Sequence, residues 1–131
     1  QHTHHSLPHN YDPTLSIDLV DHDGEPAPLL NPCFLVALAD CHGTSVGGVA
    51  AAAGNNMLGV TGAGFDATLA GIRLLGANQT DMTEATALSH MNQAIDIYNN
   101  SWGPPDDGDV YPLGPLPLAA MQNGVTSGRN G

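Results

Sequence analysis

Residues 40–48 read DCHGTSVGG and run on into VAAAAGNN at residues 49–56. A histidine, His42, stands at the mouth of a segment built almost wholly of Gly, Ala, Ser, Thr and Val. Small and apolar residues recur all the way round the helical wheel, not along one stripe, so residues 43–54 are expected to form a helix buried on most sides. Gly47 and Gly48 lower its intrinsic propensity, which predicts that another element approaches its backbone closely. At a helix N-terminus the dipole disfavours a protonated imidazole, so His42 is expected to stay neutral and able to accept a proton near neutral pH. That is where a general base belongs, and Gly43 and the small residues after it leave the ring open to a substrate.

Downstream of this helix, ATLAGIRLL (Ala67–Leu75) reads as a buried strand. DMTEATALSHMNQAI (Asp81–Ile95) reads as an amphipathic helix, capped by Thr80 or Asp81 and with Glu84 in its first turn. DIYNNSWG (residues 96–103) reads as a second strand and PLPLAAMQNGVTSG (residues 115–128) as a third helix. Strand, helix and strand in that order predict an α/β fold with parallel pairing and a right-handed crossover. Residues 1–40 are rich in Pro, Asp, His and Asn and read as loop, with short apolar runs such as FLVAL at Phe34–Leu38.

The chain has 131 residues, 41% of them apolar, which is enough for one domain with a core. Arg73 and Arg129 stand against thirteen acidic residues, giving a formal net charge of −11. That balance argues against nucleic acid and anionic membrane, and makes basic ligands or cations the natural partners. No apolar run approaches the roughly 18 residues of a membrane span, and no signal-peptide pattern opens the chain. Cys33 and Cys41 are compatible with one disulfide or with two free thiols. A thiol nucleophile at Cys41 served by His42 is disfavoured, because adjacent residues rarely aim their side chains at one another. His2, His4, His5 and His9 offer nitrogen ligands, but on a terminus expected to fray they read as adventitious binders at most.

HGTSVGGVAAAAGNNMLGVTGAGFDATLAGIRLL (residues 42–75) resembles the segment around the catalytic histidine of subtilisin-family serine proteases. NYDPTLSIDLVDHDGEPAP (residues 10–28) and SWGPPDDG (residues 101–108) are similar to the kexin and furin branch, and the resemblance runs from His4 to Gly114. It implies a three-layer α/β subtilisin-like fold with a mostly parallel sheet, only partly covered by this chain. Residues 1–131 then form a partial peptidase domain, lacking the part with the catalytic aspartate and the part with the nucleophilic serine. Of a Ser-His-Asp triad only His42 is present, so the chain alone is expected to be inactive.

The same resemblance places Ser101, Trp102 and Gly103 on the edge that pairs with substrate backbone. It assigns Asp106 to the pocket for an Arg or Lys side chain, and Asp81 and Glu84 to acidic positions further along the cleft; simple helix N-terminal charge is the alternative for those two. Pro105, Ala39 and Leu113 depart from the branch, which implies cleavage after a basic residue without a strict multibasic requirement. Calcium is the implied cofactor, held by Asp18, Asp23 and Glu25 unless these form a solvated acidic loop. A second implied calcium site uses the backbone carbonyls of Ala53, Leu58 and Val60 with the side chain of Asn56, but Ser6 stands in place of its aspartate. Asp106 also matches a ligand of a third ion. The implied protein is a secreted or secretory-pathway, calcium-dependent serine endopeptidase, with polypeptide substrates and a propeptide as partners. The alternative is a non-catalytic acidic module that binds calcium or basic peptides. An incomplete parallel sheet also predicts exposed apolar patches.

Overall fold

In a computed structural model the described residues are 10–27, 41–76 and 78–131. The chain separates into two units, residues 1–76 and 77–131, each with its own elements. Ala39, Ser6, Cys33, the FLVAL run and the four N-terminal histidines lie outside the described residues.

In the first unit the Asp12 carboxylate accepts from the backbone N–H and the hydroxyl of Thr14, and Pro13 supplies a fixed φ. Together they wind residues Pro13–Leu15 into a single 3-10 turn, which delivers the chain into strand β1, Ile17–Asp18. Strand β2, Ile72–Arg73, lies parallel to it, with Ile17 opposite Ile72 and Asp18 opposite Arg73. A parallel bridge between Tyr11 and Leu69 extends the contact upstream. The buried Ser16 hydroxyl ties the two strands, donating to Asp12 O at 2.8 Å and accepting from Gly71 N–H at 3.0 Å. Of the strand expected over residues 67–75, this two-residue core and single-residue bridges at Leu69 and Leu75 form.

Helix α1 spans His42–Ala51. A helix end leaves its last carbonyls without partners, and here each is provided for. Ala63 N–H donates to Val49 O at 3.0 Å, Gly64 N–H to Ala50 O at 2.8 Å and Gly62 N–H to Ala52 O at 2.8 Å. The Asn10 side-chain amide takes Ala51 O. The Gly-Ala-Gly at residues 62–64 thus folds back as a lid on the helix terminus. A Cβ on Gly62 would lie 2.3 Å from Ala52 N, so only glycine fits. The close approach expected at Gly48 is not found, since a Cβ there would meet nothing within 4 Å. Nor is α1 buried on most sides: Gly47, Gly48 and Ala51 are buried, but Val49 is 74% exposed.

The second unit holds α2, Asp81–Ser89, and α3, Pro115–Ser127, packed on each other. Thr80 is the N-cap: its hydroxyl accepts from Thr83 N–H while the Thr83 hydroxyl accepts from Thr80 N–H, a reciprocal box that settles two orphan donors. Ala87, Leu88 and Pro117 are buried. The helix expected to run to Ile95 stops at Ser89, and the chain passes through a left-handed turn at Met91. The Gln93 amide then docks on the end of α3, donating to Ser127 O at 2.8 Å and accepting from Asn130 N–H at 3.0 Å. Arg129 pairs with Asp96. Residues 96–103 form no strand, because no neighbouring strand among the described residues supplies ladder partners. The architecture is α/β: one parallel strand pair and three α-helices among the described residues.

Candidate active site

His42 is the first residue of α1 and is exposed. Ser45 N–H closes the first helical turn on Cys41 O at 3.0 Å, fixing the backbone that carries the imidazole. Cys41 is disulfide-bonded, which removes its sulfur as a nucleophile. An exposed imidazole on an anchored helix N-terminus can exchange protons with a group brought to it from outside this unit.

In the second unit Ser101 and Gly103 are exposed and Trp102 is half-buried. The Asn99 side-chain amide donates to the Ser101 hydroxyl at 2.9 Å. Both carboxylates of the Asp-Asp-Gly turn are exposed, so the buried pocket carboxylate expected at Asp106 is not formed by this unit alone. The two residues have different neighbours. Asp107 accepts from Tyr111 OH at 2.6 Å and from Asp109 N–H at 3.0 Å, and the Tyr111 bond first, then the amide, holds its carboxyl below the usual aspartate range. Asp106 takes no hydrogen bond among the described residues, which leaves its oxygens for a ligand. Neither the Asp107–Asp109 turn bond nor the Tyr111 contact was read from the sequence.

Asp81 and Glu84 stand in the first turn of α2. The Asp81 carboxylate lies against Gly114, the N-cap of α3, so closely that a Cβ there would fall 2.1 Å from its Oδ2. An anion at a helix N-terminus is favoured by the dipole. Both the substrate-cleft and the helix-charge explanations of Asp81 therefore keep a physical basis.

Two of the three carboxylates expected to share a calcium ion have protein partners. Asp18 is buried and its Oδ1 accepts from Val20 and Asp21 N–H at 2.7 and 2.9 Å, while its Oδ2 takes Arg73 Nη1. Asp23 accepts from Glu25 N–H at 2.8 Å through Oδ1, and its carbonyl accepts from Asp18 N–H. No group of three or more His, Cys, Asp or Glu is gathered for a metal among the described residues. Asp18 is thus spent on an arginine, a partner the expectation missed. A cation in an apolar strand, IRLL, is the signal that would have found it.

The loop following α1 is different in kind. Asn55, Met57 and Gly59 all adopt left-handed backbone, and Asn56 Oδ1 accepts from Leu58 N–H at 3.0 Å. Leu58 and Val60 are exposed and Ala53 is half-buried. Carbonyl and amide oxygens are hard donors that calcium uses alongside carboxylates, so the chemistry of this donor set is compatible with that ion.

Comparison with known sequences identifies this α/β unit, in which an exposed histidine opens a helix of small residues. The subtilase family (Peptidase_S8) matches residues 4–130, and the chain belongs to that family. It is 45% identical over 134 residues to the protein named endoprotease bli-4 of Caenorhabditis elegans, covering 100% of this chain and 13% of that protein. It is 42% identical over 129 residues to PC3-like endoprotease variant B of Hydra vulgaris, covering 98% of this chain and 18% of the relative. It is 40% identical over 131 residues to human proprotein convertase subtilisin/kexin type 5, covering 98% of this chain and 7% of the relative. The chain therefore spans less than a fifth of the length of these curated relatives.

Proposed function

We propose that this chain is the histidine-bearing part of the catalytic domain of a kexin/furin-type serine endopeptidase, with the three-layer, mostly parallel subtilisin-like fold completed by the rest of the parent. The observation that carries the reading is the family match over residues 4–130 with an exposed His42 opening α1. In the parent, His42 takes the proton of a serine hydroxyl as it attacks the scissile carbonyl, then donates it to the leaving amine. Ser101–Gly103 bind the substrate backbone, and Asp106, with Asp81 and Glu84 further along, selects a basic side chain. Calcium would be a structural ion in the loop, held by carbonyls of Ala53, Leu58 and Val60 and by Asn56 Oδ1. It would supply loop rigidity there by bridging these oxygens. A propeptide occupying the same cleft is the expected partner, and the secretory pathway or extracellular space the expected location. The Cys41 disulfide supports that location, since disulfides persist in oxidising compartments. No helix among the described residues is long and apolar enough to cross a membrane.

The test is peptide hydrolysis by the full-length parent and its His42→Ala variant. Loss of kcat on the order of 10⁶, the scale for removing a triad histidine, is expected, with Lys/Arg peptides preferred to aliphatic ones. An inactive parent would favour the non-catalytic module; an aliphatic preference would remove Asp106 from the specificity pocket.

A further inference from the structure

The sequence Asn-X-Ser/Thr, with X other than proline, is the acceptor for N-linked glycosylation, and this chain carries it at Asn78-Gln79-Thr80 and at Asn99-Asn100-Ser101. Their settings differ. Asn78, Gln79 and Thr80 are all exposed, in a loop directly before α2. The Thr80 backbone is extended, with φ −131° and ψ 159°, so the acceptor residues are not committed to a helix. Asn99 is also exposed, but it stands at the start of the segment read above as the substrate-binding edge.

We infer that Asn78 is an N-glycosylation site and that Asn99 is not modified. The compartment is supported independently of the protease reading by the Cys41 disulfide, which belongs to the oxidising lumen where this transfer takes place. The donor is a lipid-linked diphospho-oligosaccharide. Asn78 Nδ2 forms a bond to the anomeric carbon of the first sugar as the bond from that carbon to the diphosphate oxygen breaks. The lipid diphosphate leaves with the electron pair, and one amide proton passes to base. Transfer acts on the extended chain, before α2 forms, so the later use of the Thr80 hydroxyl as a cap does not compete with it. In the folded protein the glycan projects from an exposed polar loop and displaces no buried group. A glycan on Asn99 would stand two residues from Ser101 and obstruct an extended peptide there. This second half alone rests on the proposed substrate edge.

The experiment is secretion of the full-length parent from a eukaryotic host, followed by treatment with peptide N-glycosidase and peptide mass spectrometry. Conversion of Asn78 to aspartate by the enzyme is expected, with Asn99 unconverted and one step of gel mobility lost in an Asn78→Gln variant. Thr80→Ser should retain the glycan. Thr80→Ala is a poorer probe because it also removes the helix cap. An unmodified Asn78 in secreted, disulfide-bonded protein overturns the assignment, as does a parent that never enters the secretory pathway. A modified Asn99 in a parent that still cleaves peptides overturns the substrate edge instead, and leaves Asn78 standing.

Discussion

Arg73 follows Ile72 and precedes Leu74 in a strand, with its side chain 9% exposed, so its charge must be met inside the fold. Asp18, 1% exposed, and the more exposed Asp21 both accept from Nη1, the latter at 2.7 Å. Burial works against the charge on Asp18, but the Asp21 amide, the Arg73 guanidinium and the Val20 amide outweigh it and hold the carboxyl below the ordinary aspartate value. A depressed folded pKa gives stability that is complete above about 3.9, the unfolded value, and is lost as pH falls through the lower folded value. Asp18→Asn should therefore destabilise the parent by about 1.5–3 kcal/mol at neutral pH, because it removes the buried counter-charge and leaves only the more exposed Asp21 on the guanidinium. Denaturant unfolding across pH checks this, and the gap between variant and wild type should close in the acid range. An effect that vanished on chelating calcium would instead make Asp18 a metal ligand.

At the scale of elements, α1 depends on what terminates it. The turn at residues 62–64 fits only because Gly62 lies against the backbone of Ala51 and Ala52. Gly62→Ala should cost about 1–3 kcal/mol, since backbone cannot move aside as a side chain can. Gly48→Ala places its new methyl in open space and should be neutral or stabilising by up to about 1 kcal/mol through helix propensity. Thermal unfolding of the 131-residue chain carrying each change compares them. Equal losses would show that Gly48 is packed as Gly62 is, in line with the close approach that HGTSVGG predicts. That stretch was legible as a helix of small residues, but which glycine is approached was not, because a glycine marks permission for contact without naming the partner. The Thr80 cap was readable from residue type and spacing; the early stop at Ser89 was not, since the apolar positions continue to Ile95 and only docking of Gln93 on the end of α3 shows why the chain turns.

For the molecule as a whole, many large apolar side chains are exposed among the described residues. Met57 is fully exposed, Ile97 is 83% and Val125 84% exposed, and Leu113, Leu116, Leu118 and Met121 are exposed as well. Such side chains usually have a partner where they form one contiguous patch. The 131-residue chain should bind a hydrophobic dye and self-associate with rising concentration, whereas the full-length parent should do neither. Dye fluorescence and sedimentation velocity on both would check it, and a monomeric, dye-silent chain would show that these residues need no cover.

The sequence by itself determined the family, the position of His42 at a helix mouth, the α2 cap and the acidic character of the surface. These are properties of residue type and short spacing, which local hydrogen bonding and dipoles translate directly into structure. Only the tertiary structure decided that Asp18 serves Arg73 from a strand far along the chain, that Asp107 and not Asp106 holds Tyr111, and that residues 96–103 stay irregular. Each of these turns on which groups meet across a long separation. A carboxylate goes to the nearest buried cation and a strand exists only with a neighbour, and neither condition is written in the residues that satisfy it.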